Sequence, residues 1–143
     1  MSPLVRNQPT TEAKQPSDLQ PVRSLHLRVG EAGEAAALQY LRDQGFRILA
    51  CDWRSRLGQI DIVAEDGGTL VIVEVKARTG TGFGRASEAV DARKQAKLRV
   101  LTTAYQISQR RQTQAVRIDV IGLLLGADLT VRSIEHIRNA VGG

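Results

Sequence analysis

Three charged residues in a run of aliphatic ones give the first sign of chemistry. Asp61 stands between Ile60 and Ile62, and Glu74 and Lys76 stand among Val73, Val75 and Ala77. Charged side chains are rarely buried unless they are paired or bind a cation. All three lie in the stretch Gly58 to Arg78, where two β-rich runs flank Asp66-Gly67-Gly68, residues that tolerate the positive φ of tight hairpin turns. Side chains alternate along a strand, so Glu74 and Lys76 share one face of theirs, and Gln59 and Asp61 share one face of the other. Across such a hairpin two carboxylates come within about 5 Å at Cβ, near enough to share a small cation. A donor set made only of oxygens favours Mg²⁺ or Mn²⁺ over zinc or copper. An ion of that kind keeps waters that can act as nucleophile, and Lys76 would orient or deprotonate the attacking water and offset charge in a phosphoryl transition state. A Glu and a Lys on one strand face are also common on solvated sheets, where they contribute little. What separates the two readings is whether other charged residues converge on the same place.

Two further groups could do so. Glu34 precedes Ala37, Leu38 and Leu41 by three, four and seven residues, which puts it on their inward-facing helical stripe. Its position in the first turns of that helix suits the helix dipole and needs no function; alternatively it reaches the pocket of Asp61 and Glu74. The second group is basic. Residues 85–111 hold seven Lys and Arg against two acids, which accounts for the whole net charge of +5. Arg93, Lys94, Lys97 and Arg99 lie in the helical part of this segment and would form a phosphate-binding surface beside an acidic pocket. The plainer reading is a solvated helix face. Arg78 either binds a phosphate or pairs with Glu74.

The elements that must position these residues follow from local patterns. Residues 1–24 contain all four prolines among Gln, Thr, Ser and Asn, and are expected to be a disordered leader to a single domain at 25–143. A helix is expected from about Leu27 to Gln44, with Gly45 as its C-cap. Phe46 to Arg54 reads as a first strand, and the hairpin supplies strands at about 59–65 and 69–77. Leu70-Val71-Ile72-Val73 is apolar throughout, the mark of a central strand covered on both faces. A glycine-rich loop, Thr79 to Arg85, leads to a helix capped by Ser87 and running to about Arg111. In it Ala89, Ala92, Ala96, Val100, Thr103/Ala104 and Ile107 are expected to face inward. Ala115–Leu125 and Leu129–His136 complete the chain as strands. The order α-β-β-β-α-β-β predicts an α/β fold (α+β with a mixed sheet), a meander of three antiparallel strands followed by a crossover to a parallel fourth.

Composition removes several classes of function. Aromatic residues make up only 3%, so the core must be aliphatic and few rings are available to stack on bases. Cys51 is alone, so no internal disulfide forms and no Cys/His zinc spacing exists. No apolar run is long enough to cross a bilayer, and the polar N-terminus does not resemble a signal peptide; a cytoplasmic location without membrane association is expected. His26 and His136 read as surface histidines, Trp53 as a core or edge anchor or, beside Arg54 and Arg56, a DNA contact, and Arg117 and Asp119 as either a structural ion pair on the fourth strand or a support behind the site.

Gly30-x-x-Gly33-Glu34, Asp52-Trp53-Arg54, Gly58-Gln59-Ile60-Asp61-Ile62-Val63, Val73-Glu74-Val75-Lys76-Ala77-Arg78, Lys94 and Arg117-Ile118-Asp119-Val120 together resemble the bacterial YraN family, also called UPF0102. That family is similar to PD-(D/E)xK nucleases, including archaeal Holliday junction resolvases. The resemblance implies a restriction-endonuclease-like core in which Asp61 and Glu74 hold Mg²⁺, Lys76 assists the water, Glu34 adds a carboxylate, and Lys94 lies near the phosphate backbone. Two positions depart from the family: Gln59 stands where Glu is usual and supplies no negative charge, and Asp52 stands where Asn is usual, the less consequential of the two. The expected function is endonucleolytic hydrolysis of DNA, branched or otherwise structured, for which a homodimer would suit a four-way junction. The competing readings are a non-catalytic nucleic-acid-binding or adaptor protein on the same fold, and an interaction module whose basic helix binds an acidic partner.

Overall fold

The computed structural model describes residues 21–80 and 90–141. Among the described residues two helices lie on opposite faces of a five-stranded sheet, in the chain order α1 (Pro21–Asp43), β1 (Arg47–Ser55), β2 (Gly58–Asp66), β3 (Thr69–Thr79), α2 (Ala92–Ser108), β4 (Val116–Leu125) and β5 (Val131–Ile137). Spatial order equals chain order. β1, β2 and β3 form the expected antiparallel meander, β4 joins β3 in parallel, and β5 returns antiparallel to β4. The sheet is therefore mixed, as short links followed by one helical crossover require.

β3 shows why the middle strand reads as a continuous apolar run. Val71 and Val73 pack with Ala37 and Leu41 of α1, while Leu70 and Ile72 pack with Leu98, Leu101 and Tyr105 of α2. All four β3 residues are fully buried. The core thus consists of two aliphatic layers with the sheet between them. Trp53 closes the α2 layer, edge-on to Tyr105 at 5.3 Å between ring centres. At Gly33 the approach of α1 to the sheet is closest, since a Cβ there would sit 2.3 Å from the Ala77 Cβ. Glycine is what lets helix and strand meet at that height.

Several boundaries and one face differ from expectation. α1 begins at Pro21, so Pro21 to Ser24 belong to the helix and not to the leader; residues 1–20 lie outside the described residues. Ser87 also lies outside them, as does most of the glycine-rich loop. The N-cap of α2 is Asp91, whose carboxylate accepts from the Lys94 amide at 2.9 Å, and the helix stops at Ser108, short of Arg111. The larger correction concerns which side of α2 is inside. Leu98, Leu101, Thr102 and Tyr105 are buried, whereas Val100 and Ile107, expected inward, are 49% and 57% exposed. The helix carries two apolar stripes, and periodicity alone cannot rank them. The larger side chains, Leu and Tyr, remove more apolar area from water and win the core.

A polar cluster ties the far end of α1 to the sheet. Asp119 is fully buried and accepts from Arg117 Nε at 2.9 Å and from the Asn139 amide at 2.9 Å, with His136 Nε2 at 2.8 Å. His136 Nδ1 lies 3.0 Å from the Tyr40 hydroxyl on α1. Burial alone would raise the Asp119 pKa, but the contacts from His136, Arg117 and Asn139 outweigh it and hold the carboxyl below its ordinary range. The Arg117–Asp119 ion pair is as expected from the alternation. His136 is not a surface residue: its side chain is 5% exposed, turned inward by the buried acid that it satisfies.

Candidate functional site

The β2–β3 ladder runs from Asp66↔Thr69 to Ile62↔Val73 and goes no further, while β2 stays paired with β1 as far as Ser55↔Gly58. The two central strands therefore splay apart at Asp61. Alternation breaks at the same place, since Ile60 and Val63, three residues apart, enter the same core layer. Past the last rung Val75 stays paired with Ile121 of β4 but has no partner on the β2 ladder, and the Asp61 carboxylate takes that role, accepting from Val75 N at 2.8 Å. One residue of β2 is thus pulled towards the opening between strands by a backbone donor of β3.

Glu74 lies at the same opening. Its neighbours Val73 and Val75 face α1, so Glu74 faces α2, where Lys94 Nζ reaches its Oε2 at 3.0 Å. The Asp61 pKa is pushed up to about 6, first by burial and then by the Glu74 charge; the Val75 hydrogen bond opposes this, Glu34 adds to it, and Lys94 opposes it. Glu34 is also raised, by burial, then by Asp52, with Arg54 opposing and Glu31 and Glu74 adding. Three acids from α1, β2 and β3 therefore feel one another's charge at the point where the sheet opens. The raised carboxyls of Asp61 and Glu34 mark an excess of negative charge that a cation would relieve.

The expected site residues divide as follows. Asp61, Glu74 and Glu34 come into one electrostatic neighbourhood. Among the described residues, no three His, Cys, Asp or Glu side chains close into a metal-ligating group; in this arrangement Glu74 is engaged by Lys94. Lys76 is exposed on the strand beyond Glu74 and on the same side by alternation. Arg78 sits further along β3, opposite Leu124 of β4. Arg93, Lys94 and Lys97 line one surface groove of about 450 Å³ on α2, with Asp91, Ala96 and Val100. Lys97 also covers the β1–β2 turn, its Cε lying 3.1 Å from where a Gly58 Cβ would be. Gln59 is exposed and pairs across the ladder with Arg54.

Sequence reading missed two features. Asp52 is the largest charged contributor to the Glu34 shift; it adopts φ of 53° within β1, a left-handed conformation uncommon for non-glycine residues and frequent near functional sites, and its carboxylate pairs with Arg54 at 2.9 Å. Counting back from Trp53↔Ile60 would have set Asp52 opposite Asp61, but the backbone twist that turns it was invisible. The second feature is the Glu74–Lys94 bridge, which spans 20 residues of sequence and a crossover.

The donor chemistry of the opening is that of a hard divalent cation. All the acids offer oxygen, and Mg²⁺ needs only one or two carboxylates because it retains water. Asp61 and Glu74 are the pair placed to supply them, with Glu34 nearby.

The model of the family described as uncharacterised protein family UPF0102 matches residues 33–123, a span that contains Glu34, Asp52, Asp61, Glu74, Lys76, Lys94 and Asp119. The UPF0102 protein of Pelotomaculum thermopropionicum is 41% identical over 112 residues, 78% of this chain and 93% of its own length. That of Symbiobacterium thermophilum is 45% identical over 113 residues, covering 79% and 95%, and that of Mycobacterium tuberculosis 43% over 111 residues, covering 76% and 87%.

Proposed function

This chain belongs to the UPF0102 family, and we propose that it is a divalent-metal-dependent endonuclease that hydrolyses phosphodiester bonds of DNA, on a core related to the PD-(D/E)xK nucleases. The observation that carries the proposal is the opening between β2 and β3, where Asp61 is held by the Val75 amide with its pKa near 6 beside Glu74, and α2 presents Arg93, Lys94 and Lys97 next to it. A bound Mg²⁺ or Mn²⁺ would acidify a water and polarise a phosphate oxygen.

The chain's own residues do the rest. Asp61 and Glu74 would hold the ion, Asp61 with one oxygen already fixed by a backbone hydrogen bond and so oriented in advance. Glu34 adds negative charge from the α1 side and can take a proton from water within the opening. Lys76, exposed beyond Glu74, would orient the attacking water or the scissile phosphate. Lys94 has two partners open to it: Glu74 while the carboxylate is free, and a phosphate once Glu74 is engaged elsewhere. Arg93 and Lys97 extend the cationic surface along the strand being cut, contacts that position a backbone without reading sequence.

Thermal unfolding with and without metal tests the binding half of this reading. Mn²⁺ should raise the melting temperature of the wild-type chain and leave that of Asp61→Asn unchanged. An equal rise in both proteins would place the metal elsewhere and remove the basis for the proposed site.

A further inference from the structure

The face of α2 that sequence periodicity assigns to the core is exposed, and its chemistry is unusual for a solvated face. Val100, Thr103, Ala104 and Ile107 follow one another at helical spacing and, with Leu57 from the β1–β2 turn and Arg99, line a groove of about 440 Å³. Leu57, Val100 and Ile107 are 50%, 49% and 57% exposed. Val100 also belongs to the basic groove of Arg93, Lys94 and Lys97, so the helix presents a continuous surface, cationic over its first half and aliphatic over its second. Contiguous apolar surface of this kind, rimmed by charge, marks interaction sites.

We infer that this surface docks an acidic amphipathic segment of a partner protein, a helix or short peptide with aliphatic anchors at i, i+3 or i+4 and i+7 flanked by Asp or Glu. The charges select this occupant. Between Ala92 and Ser108 the helix carries Arg93, Lys94, Lys97 and Arg99 and not one acid, and the one acid lining the basic groove, Asp91, is taken up in capping the helix. A second copy would bring two such helices together and set like charges against each other, which is destabilising. Residues 1–20 of the same chain hold two acids and two cations, no net charge to match the groove. A nucleic-acid backbone satisfies the cations but would lay phosphates against Leu57, Val100 and Ile107. Only an acidic partner with aliphatic anchors satisfies both halves, in the helix-in-groove manner.

The test uses the full chain and a fluorescein-labelled synthetic peptide with Leu at i, i+3 and i+7 and Glu at the remaining positions. The control has the same composition with its leucines dispersed around the helix. The patterned peptide should bind more tightly than the control, more weakly as salt rises, and at least about tenfold more weakly to the Leu57→Ser/Ile107→Ser protein, whose two positions line the apolar groove and not the basic one. Both replaced side chains are exposed, so the double variant should keep the wild-type circular dichroism and its binding of duplex DNA. Equal binding of the two peptides, or no loss in the variant, would overturn the inference. So would a wild-type dimer in sedimentation that the double variant dissolves, which would give the face to a second copy, or a parallel loss of DNA binding, which would give it to nucleic acid.

Discussion

Asp61 is a carboxyl whose ionised form the fold disfavours, and that has a measurable sign. Its pKa is about 6 in the folded chain against 3.8 for a free aspartate, so the folded state holds the proton more tightly than the unfolded one. Its contribution favours the fold fully below about pH 4, is lost as pH rises through 6, and remains a constant penalty above, on the order of 2–3 kcal/mol. Asparagine keeps a carbonyl acceptor for the Val75 amide and removes the charge. With chelator present, Asp61→Asn should therefore be more stable than wild type at pH 8 by about 1–3 kcal/mol, with the gap closing towards pH 4, as read by urea unfolding. A gap that does not change with pH would refute the electrostatic origin. Lys94 gives a second prediction at this scale. Its ammonium competes with any cation for Glu74, so Lys94→Ala should bind Mn²⁺ a few-fold more tightly in calorimetry, the modest size reflecting a part-exposed pair; weaker binding would mean that Lys94 helps to assemble the site instead.

At the scale of elements, α1 carries Glu34 to the sheet through the contact of Gly33 on Ala77. Gly33→Ala places two methyl groups where one fits and should destabilise the fold by about 1–3 kcal/mol, and Gly33→Ala/Ala77→Gly should recover most of the loss in denaturant unfolding. No recovery would mean that the helix is held elsewhere. The same scale shows what sequence could and could not disclose. The hairpin was legible because Asp66-Gly67-Gly68 fixes a turn and Leu70 to Val73 can only be a central strand. Alternation and cross-strand pairing set Asp61 beside Glu74 in the sequence, but the ladder ends at Ile62↔Val73, and the hydrogen bond of Asp61 to the Val75 amide holds it there instead. The splay of β2 from β3 was not legible, because nothing local in Ile60-Asp61-Ile62 says that a ladder stops there. α2 was read inside out for a related reason. Its two apolar stripes have similar periodicity, and only the competition for sheet surface decides between them. His136 was misread because its partner, Asp119, is 17 residues away and becomes a neighbour only when β5 pairs with β4.

Over the whole molecule, the buried ion-pair cluster and the acidic opening adjoin but turn to opposite sides of the sheet. The cluster of Asp119, Arg117, His136 and Tyr40 joins β4, β5 and α1, while Glu74 turns to Lys94 of α2; Asp119 pairs with Val73, one residue before Glu74. Asp119→Ala leaves an arginine and a histidine without their buried acid and should lose about 3–5 kcal/mol of stability without altering the pH dependence tied to Asp61; a near-neutral effect would show that the cluster is replaceable. Among the described residues no helix is long and apolar enough to cross a membrane, and the basic surface of α2 lies beside the acidic opening, the juxtaposition on which the proposed nuclease activity rests. The most direct measurement of that claim is cleavage of a panel of four-way junction, flap, nicked duplex and single-stranded DNA in Mg²⁺ or Mn²⁺. The wild-type chain should cut at least one substrate, and Asp61→Asn and Glu74→Gln, folded, should each lose at least about a hundredfold in rate. No cleavage of any substrate, or cleavage undiminished in both variants, would contradict the account.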